Sequence, residues 1–338
     1  PWVGRNEDNA HAFAWCTGGA NPAANGAPRA KAALKAYFMP QDQLAHAFMW
    51  KAPIHLKPAG RTCLLLPSKV LLNHTTDTFQ AGWINANRVE KVVLLSDYRF
   101  ILFENAISPA TIVRTNATAQ PTKDYDIILE VPKVDGTDPR RGAITVGTED
   151  RQTINSREIV MEAKRGYAPV VWKKRFWGSP RDLEFLERLG QYPSLATVIE
   201  KHQWVKGQGM QPDYTKKDFL TPWWKSSDLF IDAKSSAIDL SLLASDCEKI
   251  GDRFPRLRRS PDRAIFRGPM VLVSQGFSKR AFVDFDVIFQ DSLQAIAGPQ
   301  KDAPLLRFLA AVLRSRLAEY FLFHTAANWG TERDMVHF

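Results

Sequence analysis

The sequence predicts an α/β fold, a partial sheet over residues 1–150 followed by a mixed α+β region, and three observations predict it. Short apolar runs bounded by Gly or Pro recur at residues 60–67, 89–95 and 109–114, as buried strands do. Helical spacing of apolar residues fills the gaps between them. Beyond residue 200 the pattern changes to closely spaced strands that end in one long amphipathic stretch. Alternation of strand and helix argues for a layered α/β sheet, and the change of pattern argues for a second unit.

Taken in order, residues 17–30 are rich in Gly, Ala, Asn and Pro and read as a flexible loop. Leu44, Phe48, Ala52 and Leu56 fall at helical spacing, so a helix is expected within 40–57. Gly60-Arg61-Thr62-Cys63-Leu64-Leu65-Leu66-Pro67 reads as a strand buried on both faces. Residues 68–86 read as a helix, 89–95 and 109–114 as the second and third strands, and 125–131 as a fourth. The remainder of 115–150, with its Pro and Gly residues, reads as a bridge. Pro180 opens a helix carrying Leu183, Leu186 and Leu189 within 180–205. Strands are expected at 269–274 and 281–289. A helix over 303–323 presents Leu305, Leu306, Leu309, Val312, Leu313, Leu317 and Phe321 as a broad stripe. No internal repeat is visible.

With 338 residues, 45% of them hydrophobic and 24% charged, the chain is long enough for two cored domains of ordinary globular composition. We expect a sheet domain over 1–150, a connector over 151–200 and a second domain over 201–338. The net charge is +9, which points to a polyanionic partner. Residues 151–338 carry 29 basic and 22 acidic side chains, against 16 and 14 in residues 1–150, so phosphate contacts are expected in the second half. Cys16, Cys63 and Cys247 are widely spaced and odd in number. That spacing suggests neither a zinc site nor a disulfide framework and fits a reducing cytoplasm. No apolar run approaches the ~20 residues of a membrane span, and no signal peptide is visible. A doubly wound nucleotide-binding sheet carries a Gly-rich turn after its first strand and about six strands. Neither is found before Arg114, so the sheet reads as a back half.

Pro1-Trp2, the strand 60–67, Leu95-Ser96-Asp97 and the segment Leu102-Phe103-Glu104-Asn105-Ala106-Ile107-Ser108-Pro109 follow one another in a specific order. Together they resemble the C-terminal part of the catalytic domain of N6-adenine DNA methyltransferases, nearest to the large fused restriction–modification and phage-defence enzymes. The resemblance covers most of residues 1–115. In that family an Asn-Pro-Pro-aromatic loop is followed by a helix, a Gly-Arg-x-x-x-Leu-Pro strand and a Leu-Phe-x-x-Ala-x-x-Pro loop. It implies a Rossmann-like sheet, S-adenosylmethionine as cofactor and double-stranded DNA as substrate. Pro1 and Trp2 would form the end of the catalytic motif, with Trp2 stacked on a flipped adenine and Phe103 on its opposite face. Such stacking is worth ~1–3 kcal/mol per base, and flipping is required because a paired base is out of reach. The family holds the amine by acceptors, a matter of positioning and electrostatics. Phe103 read from its apolar surroundings alone is equally a core residue. Asp97 ends a strand, and a cap or turn role competes with a functional one.

The second half resembles the connector and target-recognition domain of the same enzymes, through Trp172 to Asp182, Trp204 to Pro212, Arg267 to Val273 and Asn328-Trp329-Gly330. Lys173, Lys174 and Arg175 lie among Trp172, Phe176 and Trp177, and Arg256, Arg258 and Arg259 lie in an arginine cluster that extends from Arg253 to Arg267. Arginine suits bidentate contacts to guanine and phosphate, while a solvated basic loop is the plain alternative for either group. Lys216 and Lys217 read as surface residues, and His324 and His337 as structural ones. The expected function is site-specific adenine-N6 methylation of DNA in the cytoplasm, with a nuclease or other defence subunit as partner and no metal. Two rivals stand beside it: a DNA-binding specificity module without catalysis, and an RNA or protein methyltransferase.

Overall fold

A strand that lies at a sheet edge needs only one apolar face, and β1 (Arg61–Pro67) is such a strand. The structure is a computed structural model that describes residues 12, 16, 37–40, 43–102, 108–116, 123–134, 144, 146–213, 220–327 and 329. The chain divides into two compact units, with the change at Leu183/Glu184.

The first unit contains helix α1 (Leu44–Lys51), β1, α2 (Lys69–Leu72), α3 (Asp77–Ala86), β2 (Arg88–Leu94), α4 (Arg99–Leu102), β3 (Ala110–Asn116) and β4 (Asp126–Glu130). It continues through β5 (Arg151–Asn155), α5 (Ser156–Lys164) and α6 (Ala168–Trp177). The five strands form one mixed sheet in the order β1-β3-β2-β4-β5. β3 is antiparallel to both of its neighbours, β2 is parallel to β4, and β5 is antiparallel to β4. β1, β2 and β4 therefore point the same way. The fold is α/β, as the sequence predicts.

Val92, Leu94, Val113, Ile127 and Leu129 of the sheet join Trp50, Phe79, Trp83, Ile159, Trp172 and Phe176 of the helices in one core. Among the described residues the opposite face carries charge. Glu90 receives Arg61 at 3.1 Å and Arg114 at 2.8 Å, and Lys91 pairs with Glu130 at 2.7 Å. β1 accordingly exposes Cys63 and Leu65, which corrects the expectation that both its faces are buried. Residues 151–177 also belong here, through the β4–β5 ladder and the Trp172 Nε1 donation to Gln80 Oε1 at 2.6 Å. The connector expected over 151–200 is thus divided between the two units.

The second unit follows helix α7 (Pro180–Leu189) and contains α8 (Leu195–His202), then β6 (Val205–Gln208), β7 (Gln211–Pro212), β8 (Leu229–Ile231), β9 (Glu248–Lys249) and β10 (Leu257–Arg259). β11 (Met270–Ser274), β12 (Arg280–Val283), β13 (Ile288–Phe289), β14 (Leu293–Ala297), α9 (Ala303–Leu313) and α10 (Arg316–Thr325) complete it. Its main sheet, β12-β11-β14-β6, is antiparallel. β11 is buried along its whole length, because Val271 and Val273 meet Leu306, Ala310 and Leu313 of α9 while Met270 and Leu272 meet Phe266 and Phe289. A strand covered on both sides needs the unbroken apolar run seen here. Two glycines of the expected motifs are required by close packing. A Cβ at Gly209 would collide with the carbonyls of Phe289 and Gln290, and one at Gly268 with the backbone of Asp284 and Phe285.

Candidate functional site

In open α/β sheets, ligands bind outside the carboxyl ends of the strands. In the first unit that edge gathers the ends of β1, β2 and β4 with the start of β3, since Pro67 and Leu94 lie opposite Ala110 and Thr111. The segments meeting there are Pro67, which ends the strand of the resemblance and is followed by Ser68, together with Leu95-Ser96-Asp97 and Ser108-Pro109 of the resemblance. Ser68 N donates to Pro109 O at 2.7 Å and Leu95 N to Ala110 O at 3.0 Å, which fixes both loops to β3. Asp97 Oδ2 accepts from Val134 N at 2.6 Å, so its carboxylate performs the loop-capping role.

The hydroxyls of Ser68, Ser96 and Ser108 are buried and lack a hydrogen-bond partner among the described residues. Buried polar atoms normally find partners, so three orphans on one sheet edge set it apart. The signal was present in the sequence as a serine at each of three strand ends, and the motif reading passed over it. Beside them, α4 exposes Phe100 at 67% of its surface together with Ile101 and Leu102. Pro1, Trp2 and Phe103 lie outside the described residues, as do residues 17–30, Lys216, Lys217 and His337.

Lys173 is wholly buried, which corrects its expected role as a DNA contact. Lys174 and Arg175 bind Glu158, at 3.1 and 2.8 Å, so they act in fastening α6 to α5. The sequence reading failed here because α6 is basic and aromatic on all sides, and only packing decides which face is covered. Burial, assisted by the charge of Lys133, lowers the Lys173 pKa to about 7. Lys133 lies over the rings of Phe176 and Trp177 at 4.5 and 4.9 Å. Burial lowers its own pKa to about 8, against the opposing influence of Asp150 and Asp97.

An unfolded chain holds the Lys173 proton up to the ordinary value of 10.5, whereas the folded chain releases it near pH 7. The unfolded state therefore binds more protons in that window, and stability rises with pH from about 7 to about 10.5. Lys173→Met is expected to be more stable than the parent at pH 7 and to show a shallower rise. Urea unfolding at pH 7 and pH 9.5 checks this, and a parent stability that does not change between them contradicts it.

In the second unit, Arg256, Arg258 and Arg259 are exposed. Leu257 is buried and anchors β10 to β7, and a register shift between Leu257 and Arg259 breaks the strict alternation. A bulge of this kind turns consecutive side chains outward, so Arg258 and Arg259 both face solvent, with Arg259 donating to Gln208 Oε1 at 2.9 Å. His324 is buried against Tyr320 and Phe323, a structural position. Among the described residues no group of His, Cys, Asp or Glu is arranged to hold a metal ion, and no helix is long and apolar enough to cross a membrane.

The fold and edge together define a mixed α/β unit followed by a β-rich unit. No protein-family model and no curated protein matches the chain. Several solved structures are similar to it, two of which follow. One is the type IIG restriction endonuclease BpuSI, 12% identical over 100% of this chain and 45% of that one, with a TM-score of 0.37. The other is the HsdS subunit from Thermoanaerobacter tengcongensis, 17% identical over 61% of this chain and 52% of that one, with a TM-score of 0.21. The chain spans about half the length of each. At such low TM-scores the likeness describes what the chain is similar to and carries no argument about its chemistry.

Proposed function

We propose that this chain forms part of a site-specific DNA adenine-N6 methyltransferase of the restriction–modification or phage-defence type. In this reading the first unit is the back of the catalytic sheet and the second unit reads duplex DNA. The observation that carries the reading is the meeting of three resemblance segments, at Pro67, Ser96 and Ser108, on the carboxyl edge of one sheet. Trp2 and Phe103 hold the extruded adenine between their rings. The exposed apolar surface of Phe100, Ile101 and Leu102 adjoins Phe103 in sequence and supplies further contact area. S-adenosylmethionine is implied by the resemblance alone. The described residues present no Gly-rich turn that fits it, so no residue is assigned to it and no step is derived through it.

Arg256, Arg258 and Arg259 contact phosphate in this reading. Each neutralised phosphate adds ~0.9 to the slope of log affinity against log salt. Replacing all three by alanine is therefore expected to reduce the slope for duplex DNA by about 2 to 3. Filter binding across a salt series measures it, and an unchanged slope returns the cluster to a solvated basic surface. Strong, salt-sensitive duplex binding without methyl transfer favours the rival specificity module.

A further inference from the structure

The second unit holds a cavity of about 390 Å³ lined by Trp223, Asp228, Arg263, Phe266, Arg267 and Asp286, among others. That volume falls in the range of small-ligand sites. Its wall is aromatic: Trp223 and Phe266 lie 5.5 Å apart, and the Arg263 guanidinium stands 5.2 Å over the Trp223 ring. Arg263, Arg267 and Asp286 are exposed at its rim, and the two carboxylates are oriented by backbone N–H groups. Asp286 Oδ1 accepts from Gly268 N at 3.0 Å and Asp228 Oδ2 from Lys225 N at 2.9 Å. In each carboxylate one oxygen orients the group and the other has no hydrogen-bond partner among the described residues. The Arg267 guanidinium forms neither an ion pair nor a hydrogen bond among those residues.

Two guanidiniums and two carboxylates make the lining neutral overall, which suits a planar ligand with both donors and acceptors better than a bare phosphate. A guanidinium donates in parallel to the O6 and N7 acceptors of guanine. A carboxylate accepts in parallel from the N1–H and N2–H donors on the neighbouring edge of the same base. Adenine and cytosine offer a carboxylate one exocyclic amine and no adjacent ring N–H, and thymine offers only a ring N–H. We propose that this cavity is a guanine-binding site, distinct from the adenine site at the sheet edge. Its guanine comes from a DNA strand or from a free guanine nucleotide, and only the first source rests on the DNA-methylation reading.

Calorimetric titration of the intact polypeptide with the four deoxynucleoside monophosphates tests it. dGMP is expected to bind about 10-fold or more tightly than the other three, the selectivity of one good bidentate pair. Arg267→Ala is expected to remove that preference, and so is Arg267→Lys, which keeps the charge and loses the fork. If the alanine variant fails to fold, the lysine variant decides. Binding of a thymine tract with one central guanine, compared with the all-thymine tract, identifies the source. A preference for the guanine tract assigns a strand, and a preference for dGMP alone assigns a free nucleotide. Equal binding of the four monophosphates, no binding, or a preference that survives both variants overturns the proposal. Methyl transfer to duplex DNA by the unaltered polypeptide, measured alongside, stands if only this pocket is wrong. The dGMP preference stands by itself if the methylation reading is wrong.

Discussion

If the proposed function holds, Trp2→Ala is expected to lower methyl transfer to duplex DNA by about 5- to 150-fold, the loss of one base–aromatic stack of ~1–3 kcal/mol. Duplex binding changes far less, because the proposed DNA grip lies in the second unit, where Arg256, Arg258 and Arg259 are exposed. Trp2→Phe keeps an aromatic face and retains most of the rate. Rates from single-turnover transfer of labelled methyl groups, set beside binding constants for the same duplex, separate the two effects. If Trp2→Ala alters neither quantity, Trp2 does not stack on the target base.

Trp172→Ala has the largest expected effect on stability. The side chain is fully buried in the first core, and its Nε1 donates to Gln80 Oε1 at 2.6 Å. Gln80 Nε2 in turn donates to Leu71 O at 2.7 Å and Thr76 Oγ1 at 2.8 Å. Truncation leaves a cavity that costs ~3–5 kcal/mol, and the Gln80 oxygen left without a donor adds ~1–3 kcal/mol. Much of a domain's total stability, ~5–15 kcal/mol, is therefore removed. Trp172→Phe fills most of the space and loses the hydrogen bond, so it is expected to cost only part of this. Urea denaturation followed by circular dichroism measures both. A loss below about 1 kcal/mol in the alanine variant would mean that α6 is not part of this core.

The sheet was legible where strands are short, apolar and bounded by Gly or Pro. The reading of 60–67, 89–95, 109–114 and 125–131 agrees with β1 to β4 within a residue or two. β5 was missed because Arg151-Gln152-Thr153-Ile154-Asn155 contains one apolar residue, and its pairing with β4 supplies what its composition does not. β14 was missed because two of its five residues are alanine, a weak strand former. The helix over 303–323 is two helices. Ser315 caps the second by accepting from Ala318 N at 3.1 Å, a start signal the apolar stripe concealed. The helix over 68–86 is likewise broken at Asn73, whose Oδ1 accepts from Thr75 N at 3.2 Å.

Site residues were less legible, for a physical reason. Lys173 and Arg258 are indistinguishable as sequence, and burial alone makes one a core group and the other a surface cation. The three serine hydroxyls at Ser68, Ser96 and Ser108 are brought to one edge only by the reversed direction of β3 between β1 and β2. The wall of the guanine-type cavity joins residues from Trp223 to Ile288, a span that no local motif covers.

The most direct test of the central proposal is to incubate the purified natural polypeptide with S-adenosylmethionine and mixed-sequence duplex DNA, then digest the DNA and identify its nucleosides by mass spectrometry. N6-methyldeoxyadenosine is expected, formed more slowly when Trp2 is replaced by alanine. Tight duplex binding with no methylated nucleoside, or methyl groups on cytosine alone, would contradict it.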